Sequence, residues 1–229
     1  ITEQPVYAYV PLASNDGALV CQFQMTTLEE LGLLKMDFLG LRNLTVLEDA
    51  ARQVRRREPG FQVERIPLDD KKTFDMLAAG RTVGVFQLES AGITAVCMGL
   101  RPRSIEDITA VIALYRPGPM ESIPRFLACS AHPERITYKH PLLEPILSVT
   151  YGCIVYQEQV IEIFRQLAGF SLGQADMIRR AMSKKKEAVI TAERAAFVHG
   201  DPERSIPGAV ARGVPEQTAN DIYDEILAF

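Results

Sequence analysis

Two arginines and three lysines are crowded between Met177 and Lys186, in a chain whose net charge is −4 at pH 7. On a helix, Arg180 and Lys184 are i,i+4 neighbours and Arg179 lies on the adjoining surface. Guanidinium forks suit phosphate oxygens and lysines add point charges, so the cluster indicates a polyphosphate or nucleic-acid ligand. The alternative is a solvated basic face that compensates the dipole at a helix C-terminus.

The apolar residues of the same segment, Ile178, Ala181 and Met182, form the opposite edge of the predicted helix. Lys185 would fall inside this apolar stripe if the helix continued. The helix is therefore expected to end near Ser183, with the lysines spreading from its last turn.

A second polar pair, Lys35 and Asp37, lies in the otherwise apolar stretch Leu33–Leu41. An extended strand puts these two side chains on one face. The opposite face is expected to pack on a core and consists of Leu34, Met36 and Phe38. The pair is either a small catalytic site or a charge pair at a strand edge.

Tyr115 and Arg116 precede the sequence Pro117-Gly118-Pro119, which predicts a rigid turn because prolines bracket a glycine. An aromatic ring beside an arginine suits a nucleotide or a nucleic-acid strand. A buried tyrosine beside an arginine in an ion pair fits the sequence equally well.

Composition excludes several classes of protein. The 229 residues contain no stretch near the roughly 20 apolar residues that a membrane helix needs. The four cysteines are far apart and the three histidines form no ligand pair, so neither a disulfide framework nor a zinc site is expected. We expect a cytoplasmic protein whose nucleic-acid contacts, if any, use local basic patches.

The apolar periodicity predicts a mainly α fold with a small β portion (α+β). A hairpin is expected at Ser14-Asn15-Asp16-Gly17, and a brief turn capped by Thr27 is expected to end at Gly32. A further strand is expected over Thr82–Leu88. Helices are predicted from Asn43 or Thr45 to Arg57, from Asp70 to Ala79, from Glu89 to Gly99, from Tyr156 to Gly169, from Lys186 to Val198 and from Pro215 onward. Two more are predicted from their caps, one beginning at Ser104 and one at the capping box Ser171–Gln174. The inner face of the helix after Ser104 is expected to consist of Ile105, Ile108, Val111 and Ile112.

Five blocks in collinear order resemble the C family of bacterial replicative DNA polymerases, the DNA polymerase III α subunits. The blocks are Leu34-Lys35-Met36-Asp37-Phe38-Leu39-Gly40-Leu41, Gly84-Val85-Phe86-Gln87-Leu88-Glu89-Ser90, Leu114-Tyr115-Arg116-Pro117-Gly118-Pro119, Thr150-Tyr151-Gly152-Cys153-Ile154-Val155-Tyr156-Gln157-Glu158-Gln159 and Arg179-Arg180-Ala181-Met182-Ser183-Lys184-Lys185. The likeness implies that residues 1–44 close a nucleotidyltransferase-type palm and that residues 45–229 form an incomplete helical fingers domain. Ser183 departs from the family, which usually has glycine at that position.

The resemblance also implies roles for individual residues. Asp37 matches the third metal-binding and catalytic aspartate of the palm, and Lys35 matches a lysine that approaches the nucleotide phosphates. Arg179 and Arg180 match arginines that contact the incoming triphosphate, and Lys184 joins them. The candidates for DNA contact are Tyr115, Arg116, Lys185 and Lys186.

The resemblance implies Mg²⁺ as the cofactor, with two ions in a complete enzyme. The expected ligands are dNTP and primer-template DNA. A sliding clamp and other replisome subunits are expected to bind the complete enzyme through other regions. Ile1 is not an initiator methionine and the chain stops within a helical pattern, so a fragment is expected. With one aspartate of three, it is expected to be inactive alone.

Two other functional classes remain open. The chain could be a non-catalytic helical module that binds nucleic acid or protein, although such a module does not require Lys35 and Asp37 on one strand face. A nucleotide-binding regulator is the third reading, but the sequence has no P-loop and no Gly-x-Gly-x-x-Gly motif.

Overall fold

The computed structural model describes residues 2–34, 36, 39–183 and 187–229. It divides into two compact units, Ile1–Arg65 and Ile66–Phe229. The fold is mainly α with a small β portion, as the sequence predicts. None of the described helices is both long and apolar enough to cross a membrane.

The first unit contains the predicted hairpin, with strands β1 (Leu12–Asn15) and β2 (Ala18–Cys21). The strands are antiparallel and pair Leu12 with Cys21 and Asn15 with Ala18. The two turn residues, Asp16 and Gly17, have φ of 48° and 82°. A two-residue turn with both φ values positive matches the twist of the strands, which is why Asp-Gly identifies this hairpin from sequence.

Two helices follow in the same unit, α1 (Met25–Glu30) and α2 (Arg42–Arg55). Helix α1 begins before Thr27, so the predicted cap at Thr27 is wrong and this residue lies inside the helix. Its predicted end is confirmed: Gly32 has φ of 76° and its N–H donates to the Glu29 carbonyl at 2.9 Å.

The strand predicted over Leu33–Leu41 is wrong for the residues that the structure describes there. Leu34 and Met36 belong to no strand and are 59% and 52% exposed, whereas both were expected to face a core. A strand is held by hydrogen bonds to a neighbouring strand, and the sheet found among the described residues is only the β1–β2 pair. Lys35, Asp37 and Phe38 lie outside the described residues.

The second unit is helical. Its helices are α3 (Lys71–Ala78), α4 (Ala91–Leu100), α5 (Ile105–Leu114), α6 (Ile123–Ala131), α7 (Glu144–Leu147), α8 (Gln157–Ala168), α9 (Leu172–Ser183), α10 (Glu187–His199) and α11 (Glu216–Ala228).

The caps predicted for α5 and α9 are confirmed. The Ser104 hydroxyl accepts the Asp107 N–H at 3.2 Å, and the capping box of α9 makes both of its bonds, at 2.8 and 3.3 Å.

The strand predicted over Thr82–Leu88 is wrong, because two successive turns replace it. The Val85 N–H donates to the Thr82 carbonyl and the Leu88 N–H donates to the Val85 carbonyl, each at 3.0 Å. Gly84 and Gln87 have φ of 77° and 64°, values incompatible with an extended strand. The strand character of this segment's sequence therefore corresponds to two consecutive turns in the structure.

The inner face of α5 differs from the prediction at one position. Val111 is fully buried and Ile108 and Ile112 are partly buried, but Ile105 is 39% exposed. Ile105 is the first residue of the helix, where the chain enters from the Ser104 cap. The buried stripe instead continues through Ala110 and Leu114.

Two apolar clusters form the core of the second unit. One joins α3 to α6, and the other joins α7 to α11 around Phe164, whose ring meets those of Phe170 and Phe197 at 5.2 and 5.0 Å. The segment before α8 links the two clusters, because Cys153 and Val155 belong to the first and Ile154 to the second.

Candidate functional site

One carboxylate holds the two adjacent arginines of α9. Asp176 Oδ1 accepts hydrogen bonds from Nε and Nη2 of Arg179 at 3.0 and 2.9 Å. Its Oδ2 lies 2.7 Å from Nη2 of Arg180. The three residues are i, i+3 and i+4 on one helix, which places them on the same surface.

A second helix reaches the same guanidinium. Arg179 Nη1 donates to Oε1 of Gln157, the first residue of α8, at 2.6 Å. Helices α8 and α9 are consecutive and pack on each other, connected by the short segment that contains Gly169, at φ of 81°. The tight connection brings residues 22 positions apart into contact.

The α9 arginines differ in environment. The side chain of Arg179 is 22% exposed, whereas that of Arg180 is 69% exposed. Hydrogen bonding from Arg179, reinforced by the charges of both arginines, lowers the pKa of Asp176. Asp176 is therefore ionised at neutral pH, and the three side chains together carry a charge of about +1.

Arg179 also lines a cavity with a volume of about 720 Å³. The cavity lies between the turn after α5 and helices α8 to α11. Its lining consists of Pro117, Gly118, Gln157, Val160, Arg179, Met182, Ile190, Thr191, Ile226, Leu227, Ala228 and Phe229. Its walls are mainly apolar, with Arg179, Gln157 and Thr191 as the polar side chains.

The predicted turn after α5 is confirmed, but it places Tyr115 and Arg116 differently from each other. Tyr115 is partly buried against the first cluster, with its ring over Gly92 of α4. Arg116 is exposed and its Nε donates to the Ala113 carbonyl at 2.8 Å. Neither residue is among those that line the cavity.

The structure thus brings part of the predicted site together. Arg179 and Arg180 both contact Asp176, and Ile178 and Met182 pack inward as expected. The turn candidates Tyr115 and Arg116 do not join them at the cavity. Helix α9 is described to Ser183, the predicted end. The other predicted site residues lie outside the described part of the chain: Lys35, Asp37, Lys184, Lys185 and Lys186.

Sequence reasoning missed two residues of this site. Asp176 could have been found, because a carboxylate three and four positions before two arginines on a predicted helix is an expected ion pair. Gln157 could not be found in this way, because its contact depends on how α8 and α9 pack.

The described residues contain no group of three or more His, Cys, Asp or Glu side chains placed to hold a metal ion. The predicted ligand Asp37 is outside that set. The magnesium expectation therefore rests on the family resemblance.

A family model for the bacterial DNA polymerase III alpha subunit finger domain matches residues 43–204. This match covers most of the chain. The chain belongs to that family. A second model, for the NTPase domain of the same bacterial subunit, matches residues 1–40.

Curated relatives agree with the family over the full length of this chain. A DNA polymerase III subunit alpha of Staphylococcus epidermidis (strain ATCC 12228) is 48% identical over 230 residues, which cover 100% of this chain and 21% of that protein. The protein of the same name from Staphylococcus aureus (strain COL) is 46% identical over 231 residues, with the same coverage. The chain thus spans about a fifth of the length of these polymerase III α relatives.

Proposed function

We propose that this chain is part of a DNA-directed DNA polymerase that replicates the bacterial chromosome, and that its α9 arginines hold the triphosphate of the incoming dNTP. The observation that carries the proposal is the pairing of Arg179 and Arg180 through Asp176 beside a cavity of about 720 Å³. Membership of the polymerase III α finger-domain family supports it.

The charge and geometry of the pair suit a polyphosphate. A guanidinium presents up to five N–H donors in a planar fork, which matches the geometry of phosphate oxygens. Arg180 is 69% exposed and reaches solvent, while Arg179 stands at the cavity wall. We assign Lys184 to the same ligand, as the family resemblance implies.

The proposal extends to residues 1–44 as the closing part of the palm. Asp37 would bind Mg²⁺ and Lys35 would approach the nucleotide phosphates. Two such ions stabilise the attacking and leaving oxygens of phosphoryl transfer when bound. One carboxylate supplies too few ligands for two ions, so we expect this chain to incorporate no nucleotide by itself.

Primer-template DNA is the proposed second ligand of the polymerase. Tyr115, Arg116, Lys185 and Lys186 are the proposed contacts, and the template lies along the fingers surface of residues 45–229. Sliding clamp and other replisome subunits would bind the complete subunit elsewhere. The proposed location is the cytoplasm, where the chromosome is copied.

The test replaces Arg179 or Arg180 by Ala in the complete subunit. Losing a charge-assisted contact worth about 1.5 to 3 kcal/mol should raise the apparent Kd of a complementary dNTP by roughly ten- to a hundredfold. Single-turnover extension of a primer measures that Kd. Primer-template affinity should stay nearly constant.

Arg165→Ala is the matched control, because Arg165 on α8 is also ion-paired and exposed to solvent, with Glu162 at 2.5 Å. It should leave the Kd of dNTP unchanged.

If the α9 arginines instead bind the DNA backbone, each lost phosphate contact reduces the log-log salt slope of DNA binding by about 0.9. An unchanged dNTP affinity in both α9 variants contradicts the proposal.

A further inference from the structure

The guanidinium of Arg179 is fastened from two helices. Gln157 of α8 accepts from Nη1 at 2.6 Å, and Asp176 of α9 accepts from Nε and Nη2 at 3.0 and 2.9 Å. We propose that Gln157 and Asp176 are positioning residues that preset the orientation of Arg179 for the triphosphate. This inference rests on the proposed function, since it concerns how the same arginine meets its ligand.

Gln157 is itself held in place, because the first turn of α8, to which it belongs, is anchored by a buried amide. Gln159 is 6% exposed, and its Oε1 accepts the N–H groups of Val155 and Tyr156, both at 2.9 Å. Its Nε2 donates to the Ile146 carbonyl at 3.1 Å and to the Thr150 hydroxyl at 2.8 Å. Both donors and both acceptor sites of this amide are used, so the start of α8 has a fixed position.

Fixing Arg179 in advance has a consequence for affinity. A long side chain that must be ordered by its ligand loses rotamer freedom on binding, which weakens the complex. An arginine already ordered on folding avoids that loss. The contacts from Gln157 and Asp176 therefore favour binding even though neither residue needs to contact the phosphates.

Substituting Asp176 by Asn distinguishes a positioning role from a purely electrostatic effect on the binding of dNTP. Removing its negative charge makes the site more positive, so electrostatics alone predicts that Asp176→Asn tightens the binding of a triphosphate. Positioning predicts the opposite sign, because the amide weakens the hold on both arginines. We expect Asp176→Asn to raise the apparent Kd of dNTP by about fivefold. Tighter binding would overturn the assignment of Asp176.

Gln157→Leu in the complete subunit is the second test, since leucine keeps the volume and removes the acceptor. Single-turnover primer extension with one complementary dNTP should show an apparent Kd about tenfold higher, with the maximal rate and the primer-template Kd nearly unchanged. Gln217→Leu is the matched control: Gln217 on α11 also makes a side-chain contact, with Asp221 at 2.8 Å, away from the cavity. The control should behave as the unaltered protein.

A double-mutant cycle shows whether Gln157 acts through Arg179. In an Arg179→Ala background, Gln157→Leu should have no further effect on the Kd of dNTP. Additive effects would overturn the inference, as would a Gln157→Leu variant with normal affinity when Arg179→Ala is impaired. If Arg179→Ala itself leaves the affinity unchanged, the proposed function fails, and the inference fails with it. These outcomes are distinguishable on the same set of proteins.

Discussion

The hydroxyl of Tyr115 lies so close to Gly92 that a Cβ at position 92 would be 1.9 Å from its oxygen and 2.5 Å from Cζ. The ring therefore rests on bare helix backbone of α4, just where the chain leaves α5 for the turn at Pro117. Gly92 is thus needed for the close approach of the Tyr115 ring to α4.

We expect Gly92→Ala to destabilise the protein by about 2 kcal/mol. A methyl group cannot enter this contact without moving the ring, and overpacking of this kind outweighs the gain in helix propensity. Urea unfolding followed by circular dichroism measures the change.

Gly173→Ala is the matched control, because a Cβ on this helical glycine of α9 would meet nothing within 4 Å. It should leave stability unchanged or raise it by up to about 1 kcal/mol. Equal destabilisation by both substitutions would show that the Tyr115 contact does not determine the response.

How far the sequence predicts this structure depends on how local each feature is. The Asp16-Gly17 turn and the Ser171–Gln174 capping box were predicted because their hydrogen bonds join residues within a few positions. The same holds for the end of α8, where the Gly169 N–H donates to the Arg165 carbonyl at 3.1 Å.

Features that depend on backbone geometry or packing were missed. The positive φ at Gln87 turns the segment from Thr82 to Leu88 away from the predicted strand. The contact between Gln157 and Arg179 spans 22 residues and needs the packing of α8 on α9. A strand at Leu34 was expected from apolar alternation, but alternation does not supply the neighbouring strand that a sheet requires.

Gln159→Leu should destabilise the protein by at least about 3 kcal/mol. Leucine has a similar volume but leaves the buried N–H of Val155, the partly buried N–H of Tyr156 and the carbonyl of Ile146 without this partner, at about 1 to 3 kcal/mol each. Thermal or urea unfolding provides the measurement. Gln166→Leu, on the same helix but bonded to Glu162 at 3.0 Å near the surface, should cost less than about 1 kcal/mol.

Alkaline pH should destabilise the protein partly through Cys153. Burial raises the pKa of this thiol from 9.0 to about 11. Because the folded-state pKa is the higher one, the stabilisation is fully present below pH 9 and is lost as the pH rises towards 11. The full contribution of this shift is about 3 kcal/mol.

The measurement is the free energy of unfolding at several pH values between 8 and about 10.5. Cys153→Ala should flatten its decline with pH, whatever its effect on absolute stability. Cys21→Ala, at the half-exposed end of β2, should leave the decline as in the unaltered protein. Parallel curves for all three proteins would exclude the contribution of Cys153.

The last prediction concerns Arg116, the exposed member of the pair in the turn after α5. If Arg116 contacts a DNA phosphate in the complete subunit, Arg116→Ala should reduce the log-log salt slope of primer-template binding by about 0.9 and leave the Kd of dNTP nearly unchanged. Arg101, the exposed residue that ends α4 with φ of 54°, provides an arginine control, and Arg101→Gln, which also removes a positive charge, should not alter the slope. Tyr115→Phe keeps the ring over Gly92, so a fall in DNA affinity in that variant would reveal a role for the hydroxyl beyond packing. An unaltered salt slope in Arg116→Ala would remove Arg116 from the DNA-binding surface, while the assignment of Arg179 and Arg180 to the triphosphate would stand on its own test.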